Sequence, residues 1–309
     1  MKILVTTSSF GKYDEKPIEI LKEKGHEVVL NPHKRKLIKE ELLELAKGYE
    51  AILAGTEKYD EEVFNKLPDL RLISRCGVGL DSIDLESAKK HGVDIRNTPD
   101  APTEAVSELS LLLILSVLRK TNFMDRKIRE GIWKKEMGNL LYGKTVGIVG
   151  LGRIGRRLTE LLRPFNVKII GNDVNPDITW ADKNNIKISG LDELLQESDI
   201  VTLHIPYSDD SRHFINSEKL NKMKNGSILI NTSRGGLINE NALHTAVTSG
   251  HLKGAALDVM EKEPYNGPLA NLEKVVLTPH VGSYAIESRI RMETEAVENL
   301  LKMMSEGKK

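Results

Sequence analysis

An α/β protein built from two doubly wound parallel sheets is the fold that the sequence predicts, and three observations predict it. Short apolar runs rich in β-branched residues alternate with longer segments of helical period along the chain, the pattern of parallel strands joined by crossover helices. The 309 residues suffice for two domains of roughly 100–200 residues each. Midway, the glycine-rich turn Gly150-Leu151-Gly152-Arg153-Ile154-Gly155 follows one apolar strand and opens a helix.

In chain order, the first strand series is expected at 2–7, 27–31, 51–54, 71–75 and 93–96. Amphipathic segments at 17–24 and 39–47 lie between them and stop near Gly25 and Gly48, as helices do. Pro102 suits the first turn of a long helix reaching Leu118, because its missing N–H is not needed there. Apolar residues cover nearly all sides of that helix, so burial against more than one surface is expected. The stretch 121–141 carries charges and Trp133 without a clear core face, and reads as an arm that packs on another subunit. The second strand series falls at 145–149, 167–171, 187–188, 200–204, 227–231, 254–259 and 275–277, with a helix at 156–162 after the glycine turn. One more helix, 285–304, follows and is expected to return to the first domain, making it discontinuous.

Composition removes several function classes. Lys plus Arg and Asp plus Glu both number 45, so no long-range field favours nucleic acid or a membrane surface. The single Cys76 excludes an intrachain disulfide and a cysteine zinc site, and suits a reducing compartment. The longest apolar stretch, 109–118, is about half of the ~20 residues that a bilayer span needs. No signal peptide follows Met1, so a cytoplasmic protein is expected. His91, His213, His244 and His251 lack recurrent ligand spacing, and no metal site is expected.

In the glycine turn, Gly150 permits the tight bend, Gly152 allows backbone to approach a pyrophosphate, and Gly155 lets the helix pack on the strand. The helix N-terminus then offers N–H groups and a partial positive charge to phosphates. The next strand ends in Asp173, 18 residues after Gly155. A carboxylate there accepts hydrogen bonds from both ribose hydroxyls and repels a 2′-phosphate, which favours NAD over NADP.

Three polar residues sit in separate strand-end motifs: Arg234 in NTSRGG, Glu263 in DVMEKEP and His280 in TPHVG. Carboxyl ends of parallel strands are where ligands bind. Arg234 can hold a carboxylate with a two-pronged hydrogen bond. His280 can exchange the proton of a hydroxyl group, and Glu263 can hydrogen-bond the imidazole and favour its protonated form. Each residue alone is ordinary. Their joint occurrence after a dinucleotide turn points to coupled hydride and proton transfer.

NTSRGG, AALDVMEKEP and LTPHVG after GLGRIG, together with the SRCGVGLDSID loop, closely resemble the D-isomer-specific 2-hydroxyacid dehydrogenases, nearly from end to end. The resemblance implies a Rossmann NAD domain, 99–283, inserted in a flavodoxin-like substrate domain formed by 1–98 and 284–309, and a homodimer built on the inter-domain helix. It implies that Arg234 binds and polarises a 2-oxo acid, that Glu263 pairs with His280, and that His280 is the general acid/base. It places Asp258 against the nicotinamide amide, with Arg153, Ile154, His204, Pro206, Thr232, Ser233, Gly282 and Ser283 among the cofactor-lining residues.

For the substrate, the loop from Cys76 to Asp81 leaves backbone N–H groups uncovered at its glycines, suited to a carboxylate; similar proteins use it so, which selects Val78 and Gly79. Arg75 and Lys12 are candidate phosphate contacts, and the loop 8–12 is a candidate cleft cover. Cys76 is not needed for hydride transfer and reads as oxidation-sensitive rather than nucleophilic. The leading substrate is 3-phosphoglycerate, on the likeness of the SR-x-GVG loop and NTPDAP to phosphoglycerate dehydrogenases. A glycerate/glyoxylate (hydroxypyruvate) reductase is the alternative, and an NAD(H)-sensing binding protein is the competing class. The chain ends at Lys309, and serine feedback through a C-terminal regulatory domain is not expected.

Overall fold

The computed structural model describes residues 1–306 and divides into two compact units. The first contains Met1–Pro102 and the chain from Ser283. Its sheet is formed by β1 (Lys2–Val5), β2 (Glu27–Leu30), β3 (Ala51–Ala54), β4 (Leu72–Arg75) and β5 (Asp94–Asn97). All pairings are parallel, in the order β2-β1-β3-β4-β5, the flavodoxin-like arrangement. The connections carry α1 (Lys16–Glu23), α2 (Lys39–Leu45), α3 (Glu61–Lys66) and α4 (Leu85–Lys90). Successive strand residues feed opposite faces: Leu4 and Ile52 join the core under α2, α3 and α4, while Ile3, Val5 and Leu53 join the core on the other face.

The second unit, Thr103–Gly282, begins with α5 (Thr103–Arg119) and α6 (Thr121–Arg129). Its seven strands are β6 (Thr145–Val149), β7 (Lys168–Asn172), β8 (Lys187–Ile188), β9 (Ile200–Leu203), β10 (Ile228–Asn231), β11 (Gly254–Leu257) and β12 (Val275–Leu277). They pair in parallel, in the order β12-β11-β10-β9-β6-β7-β8, so the order reverses between β6 and β9, where such folds place dinucleotides. Connecting helices are α7 (Arg153–Leu162), α8 (Ile178–Lys183), α9 (Leu191–Glu197), α10 (Ser217–Lys222) and α11 (Glu240–Thr248). Val146 and Ile148 of β6 pack with α5 and α7; Val149, Val201 and Leu203 pack on the opposite face with α9, α10 and α11.

Three expectations are modified here. The long helix α5 buries Leu113, Ile114 and Leu118, but Leu112 on another face stays 57% exposed. The arm is tethered by buried Phe123 and Leu141, while Trp133 and Met137 between them are 82% and 89% exposed. The last helix, α12 (Ile286–Glu306), belongs to the first unit. There Ser74 Oγ donates to the Ala296 carbonyl at 2.7 Å and Asn299 Nδ2 to the Asn97 carbonyl at 2.9 Å. The unit boundaries lie at Pro102 and Gly282 rather than at 98 and 283. Thr98 is tied to Gly77, and the Ala101 carbonyl accepts from Ser288 Oγ, which keeps 99–102 with the first unit. Among the described residues, no helix is long and apolar enough to cross a membrane.

Candidate active site

The glycine turn lies at the β6/β9 switch point. Gly150 has φ +98°, a conformation open to glycine without a Cβ penalty, and its Cα faces the His204 carbonyl. A Cβ on Gly155 would collide with the Gly150 carbonyl oxygen, so the first turn of α7 packs directly on the bend. Gly152 differs: nothing lies within 4 Å of its Cβ position. It is the N-cap of α7 and brings no side-chain cap, whereas Asp or Asn side chains cap α3, α4, α8, α10 and α11. An uncapped helix start behind open space suits a pyrophosphate. Arg153 and Ile154 form the first helical turn there.

Asp173 stands just past β7, with Oδ2 accepting the Leu151 N–H at 2.7 Å and Oδ1 the Asn175 N–H at 2.9 Å. It thereby joins the glycine turn to the next strand end, and each oxygen keeps a lone pair for a ribose hydroxyl. Across the switch point, His204 Nε2 is 2.9 Å from Thr202 Oγ1. Burial pushes its imidazole down to about 4, so the ring is neutral near neutral pH. Pro206 follows in the exposed loop. These features fit the adenosine and pyrophosphate portions of NAD.

Arg234 is set by a side chain that sequence reasoning missed. Asn231, fully buried at the end of β10, accepts the Ser233 N–H at 3.0 Å and donates to the Arg234 carbonyl at 2.8 Å. Ser233 Oγ donates to the Leu203 carbonyl, and Thr232 Oγ1 is 2.9 Å from Ser110 Oγ of α5. The next residue, Gly235, lies so close to the Met260 backbone that a Cβ would overlap its carbonyl. The Arg234 turn and the Glu263 loop therefore touch backbone to backbone.

Glu263 uses both oxygens. Oε1 accepts the Met260 N–H at 3.2 Å and Oε2 faces His280 Nδ1 at 2.9 Å. A carboxylate only accepts, so the imidazole proton lies on Nδ1. The other nitrogen, Nε2, then remains for a reacting group, and the pair stays about half exposed. His280 itself sits at φ +53°, an uncommon backbone state for a side-chain-bearing residue.

Asp258 holds that state. It is 1% exposed and accepts from Thr278 Oγ1 at 2.6 Å, Val281 N–H at 2.8 Å and Gly282 N–H at 2.8 Å. Its carbonyl accepts the His280 N–H at 2.8 Å. Burial raises its carboxyl above the usual range, against the pull of these donors. Asp258 is thus the hub of the histidine turn, a role that its place in the DV dipeptide does not signal. Ser283, expected with the cofactor residues of the second domain, begins the return of the chain to the first unit.

In the first unit, Gly77 has φ +142°. Its N–H donates to Thr98 Oγ1 at 2.8 Å, and Asn97 Nδ2 donates to the Val78 carbonyl at 2.6 Å. The loop is thus fixed by its β5 neighbour, while the Val78 and Gly79 N–H groups are not spent in those bonds. Arg75 curls back so that Nη1 donates to the Cys76 carbonyl, with its guanidinium over Gly77. Cys76 is buried at 3% exposure, and burial pushes its thiol up to about 11. A buried protonated thiol is inert, which corrects the expected sensitivity to oxidation. Lys12 Nζ lies 5.4 Å from the Tyr13 ring.

Residues 111–282 match the NAD-binding domain of the D-isomer specific 2-hydroxyacid dehydrogenases. The chain is 41% identical over 278 residues to a glyoxylate reductase of Thermofilum pendens, covering 86% of this chain and 81% of that one. It is 37% identical over 310 residues to a D-3-phosphoglycerate dehydrogenase of Methanocaldococcus jannaschii, covering 98% of this chain and 57% of that longer protein. The crystal structure of D-lactate dehydrogenase from Aquifex aeolicus, complexed with NAD and lactic acid, superposes with a TM-score of 0.83 at 27% identity, over 99% of this chain and 96% of that one. The uncapped glycine turn, the matched NAD-binding domain and these relatives converge: the chain belongs to the D-isomer-specific 2-hydroxyacid dehydrogenase family and is an NAD-dependent oxidoreductase.

Proposed function

We propose that the protein interconverts a short D-2-hydroxy acid and its 2-oxo acid, with glyoxylate or hydroxypyruvate as the preferred oxo acid. The observation that carries the reaction is the His280 Nδ1 to Glu263 Oε2 contact of 2.9 Å, which leaves Nε2 for the substrate oxygen. Bound NAD supplies hydride exchange at its nicotinamide ring, at the substrate carbon. In reduction, His280 gives the Nε2 proton to the oxygen that becomes the hydroxyl; in oxidation it takes that proton back. Glu263 supports the imidazolium formed in oxidation. Arg234 holds the carboxylate and polarises the neighbouring carbonyl. Asp258 keeps His280 in place and presents its carboxylate to the nicotinamide amide. Gly152, Arg153 and Ile154 hold the pyrophosphate and Asp173 the ribose, with His204, Pro206, Thr232, Ser233, Gly282 and Ser283 lining the remainder. Val78 and Gly79 grip the substrate carboxylate through backbone N–H groups.

The unphosphorylated acid is placed first because the glyoxylate reductase of Thermofilum pendens is the more similar of the two relatives, at 41% against 37% identity. 3-Phosphohydroxypyruvate is the second reading, supported by the SR-x-GVG sequence of that loop. NADH consumption with glyoxylate, hydroxypyruvate, pyruvate and 3-phosphohydroxypyruvate separates them by kcat/KM. A preference for the phosphorylated acid reverses the order proposed here. Tight NADH binding without turnover on any of them selects the sensing protein instead.

A homodimer is part of the proposal. The arm exposes Trp133, Met137, Leu140 and Tyr142, and α5 exposes Leu112. Light scattering on Trp133→Ser and Met137→Ser variants checks it: a dimer that persists undiminished in the double variant removes the arm from the interface.

A further inference from the structure

The loop bearing Glu263 is also held from its other side. Between β9 and α10, the His213 N–H donates to the Gly236 carbonyl at 2.7 Å and the Ile215 N–H to the Leu237 carbonyl at 2.8 Å. This segment therefore runs beside the Arg234 turn. His213 Nε2 lies 3.0 Å from Glu261 Oε2, and its Nδ1 is 3.5 Å from Asn239 Nδ2. Asn239 Oδ1 is committed to the Ala242 N–H at the start of α11, at 3.0 Å. Its amide nitrogen thus faces the ring, Nδ1 accepts, and the ring proton lies on Nε2, where it donates to Glu261.

The connection continues through Glu261. Its N–H donates to Glu240 Oε1 at 2.8 Å, and the Glu240 N–H reaches Glu261 Oε1 at 3.4 Å. Glu261 directly follows Met260, whose carbonyl abuts Gly235 and whose N–H holds Glu263 Oε1. The segment 260–264 has no helix or strand of its own. Besides facing His280, the Glu263 carboxylate accepts the Met260 N–H.

We propose that His213, Glu261 and Glu240 form a brace whose task is to position Glu263, and through it His280. The three are positioning residues and touch no reacting atom. This rests on the catalytic reading of Glu263 and His280 above. The brace fixes the backbone on the N-terminal side of Glu263, so that its carboxylate meets Nδ1 without a search. A small misplacement of a catalytic group lowers turnover while leaving remote binding intact.

A double-mutant cycle tests it. His213→Leu is expected to lower kcat about 10-fold with the native Glu263, and to have almost no further effect in a Glu263→Gln background. NADH affinity, read by quenching of intrinsic fluorescence, should not change. His213→Gln, whose amide N–H can reach Glu261, should restore most of the loss, and Glu261→Ala should repeat the His213→Leu pattern should the leucine variant fail to fold. Equal losses in both backgrounds, or a loss that tracks NADH affinity, overturn the brace and leave the three residues a general structural role. Full activity of Glu263→Gln alone overturns the catalytic reading first, and the brace with it, a result distinguishable from either of the others.

Discussion

His280 and His213 each face a glutamate of the same loop, at 2.9 Å from Glu263 and 3.0 Å from Glu261. Each sits in a left-handed backbone state, at φ +53° and +52°. The two differ at the second ring nitrogen. That of His213 meets Asn239, which closes the ring between two partners. That of His280 is left over once Glu263 has taken Nδ1. A histidine–carboxylate pair is therefore not by itself a sign of catalysis; the nitrogen not used for structure is.

The largest test of this contrast is His280→Ala. Loss of a general acid/base typically lowers turnover by 10²–10⁴-fold, and about 10³-fold in kcat is expected here with NADH binding retained. Steady-state kinetics beside His213→Ala would break the comparison if the two variants lost similar activity. A third histidine sharpens it. In His204 burial alone lowers the imidazole from the ordinary 6.5 to about 4. The folded ring stays neutral while the unfolded one takes up a proton, so stability is complete above pH 6.5 and declines as pH falls toward 4. The full interval corresponds to at most about 3 kcal/mol. Denaturant melts of the native protein and of His204→Gln across that range should diverge as pH falls, and parallel curves would refute the assignment.

Next in size, Glu263→Gln should lower kcat about 10²-fold, since imidazolium support is lost while the ring can still be held. Glu261→Gln should lower it only a few-fold, because the amide oxygen still accepts from His213. Equal effects would erase the distinction between the two pairs. Outside both pairs, Asp173→Ser should reduce the preference for NADH over NADPH about 10-fold, because the like-charge repulsion of a 2′-phosphate is removed, measured as the ratio of kcat/KM values.

Much of the fold was legible because its signals are local. The runs at 51–54, 145–149 and 275–277 are apolar, β-branched and bounded by turn residues, and the observed strands coincide with them. Expected strand ends overran by one or two residues: the Thr6 and Asn31 N–H groups still bond Leu53 and Val5, while their side chains turn to Glu57 and to the Thr6 carbonyl. The helix after the glycine turn begins at Arg153 rather than at 156, since Gly152 itself is the N-cap. In the candidate site, the motifs single out Arg234, Glu263 and His280, whereas the residues that hold them do not stand out. Asp258 acts on groups 20 or more positions away, and His213 meets Glu261 across 48 positions. Such relations arise from tertiary approach and leave no spacing to read.

The contact between Gly235 and the Met260 backbone also bears on how such an enzyme can diversify. Two loops that meet with no side chain between them cannot change length or composition independently: an insertion in either one displaces the other, and any Cβ at position 235 collides. Variation that alters the acid accepted without disabling proton transfer is then confined to segments free of this lock. On the substrate reading proposed above, the loop 8–12 is such a segment, so new substrate ranges should be sought by randomising it while 76–81, 231–236 and 258–264 are left untouched.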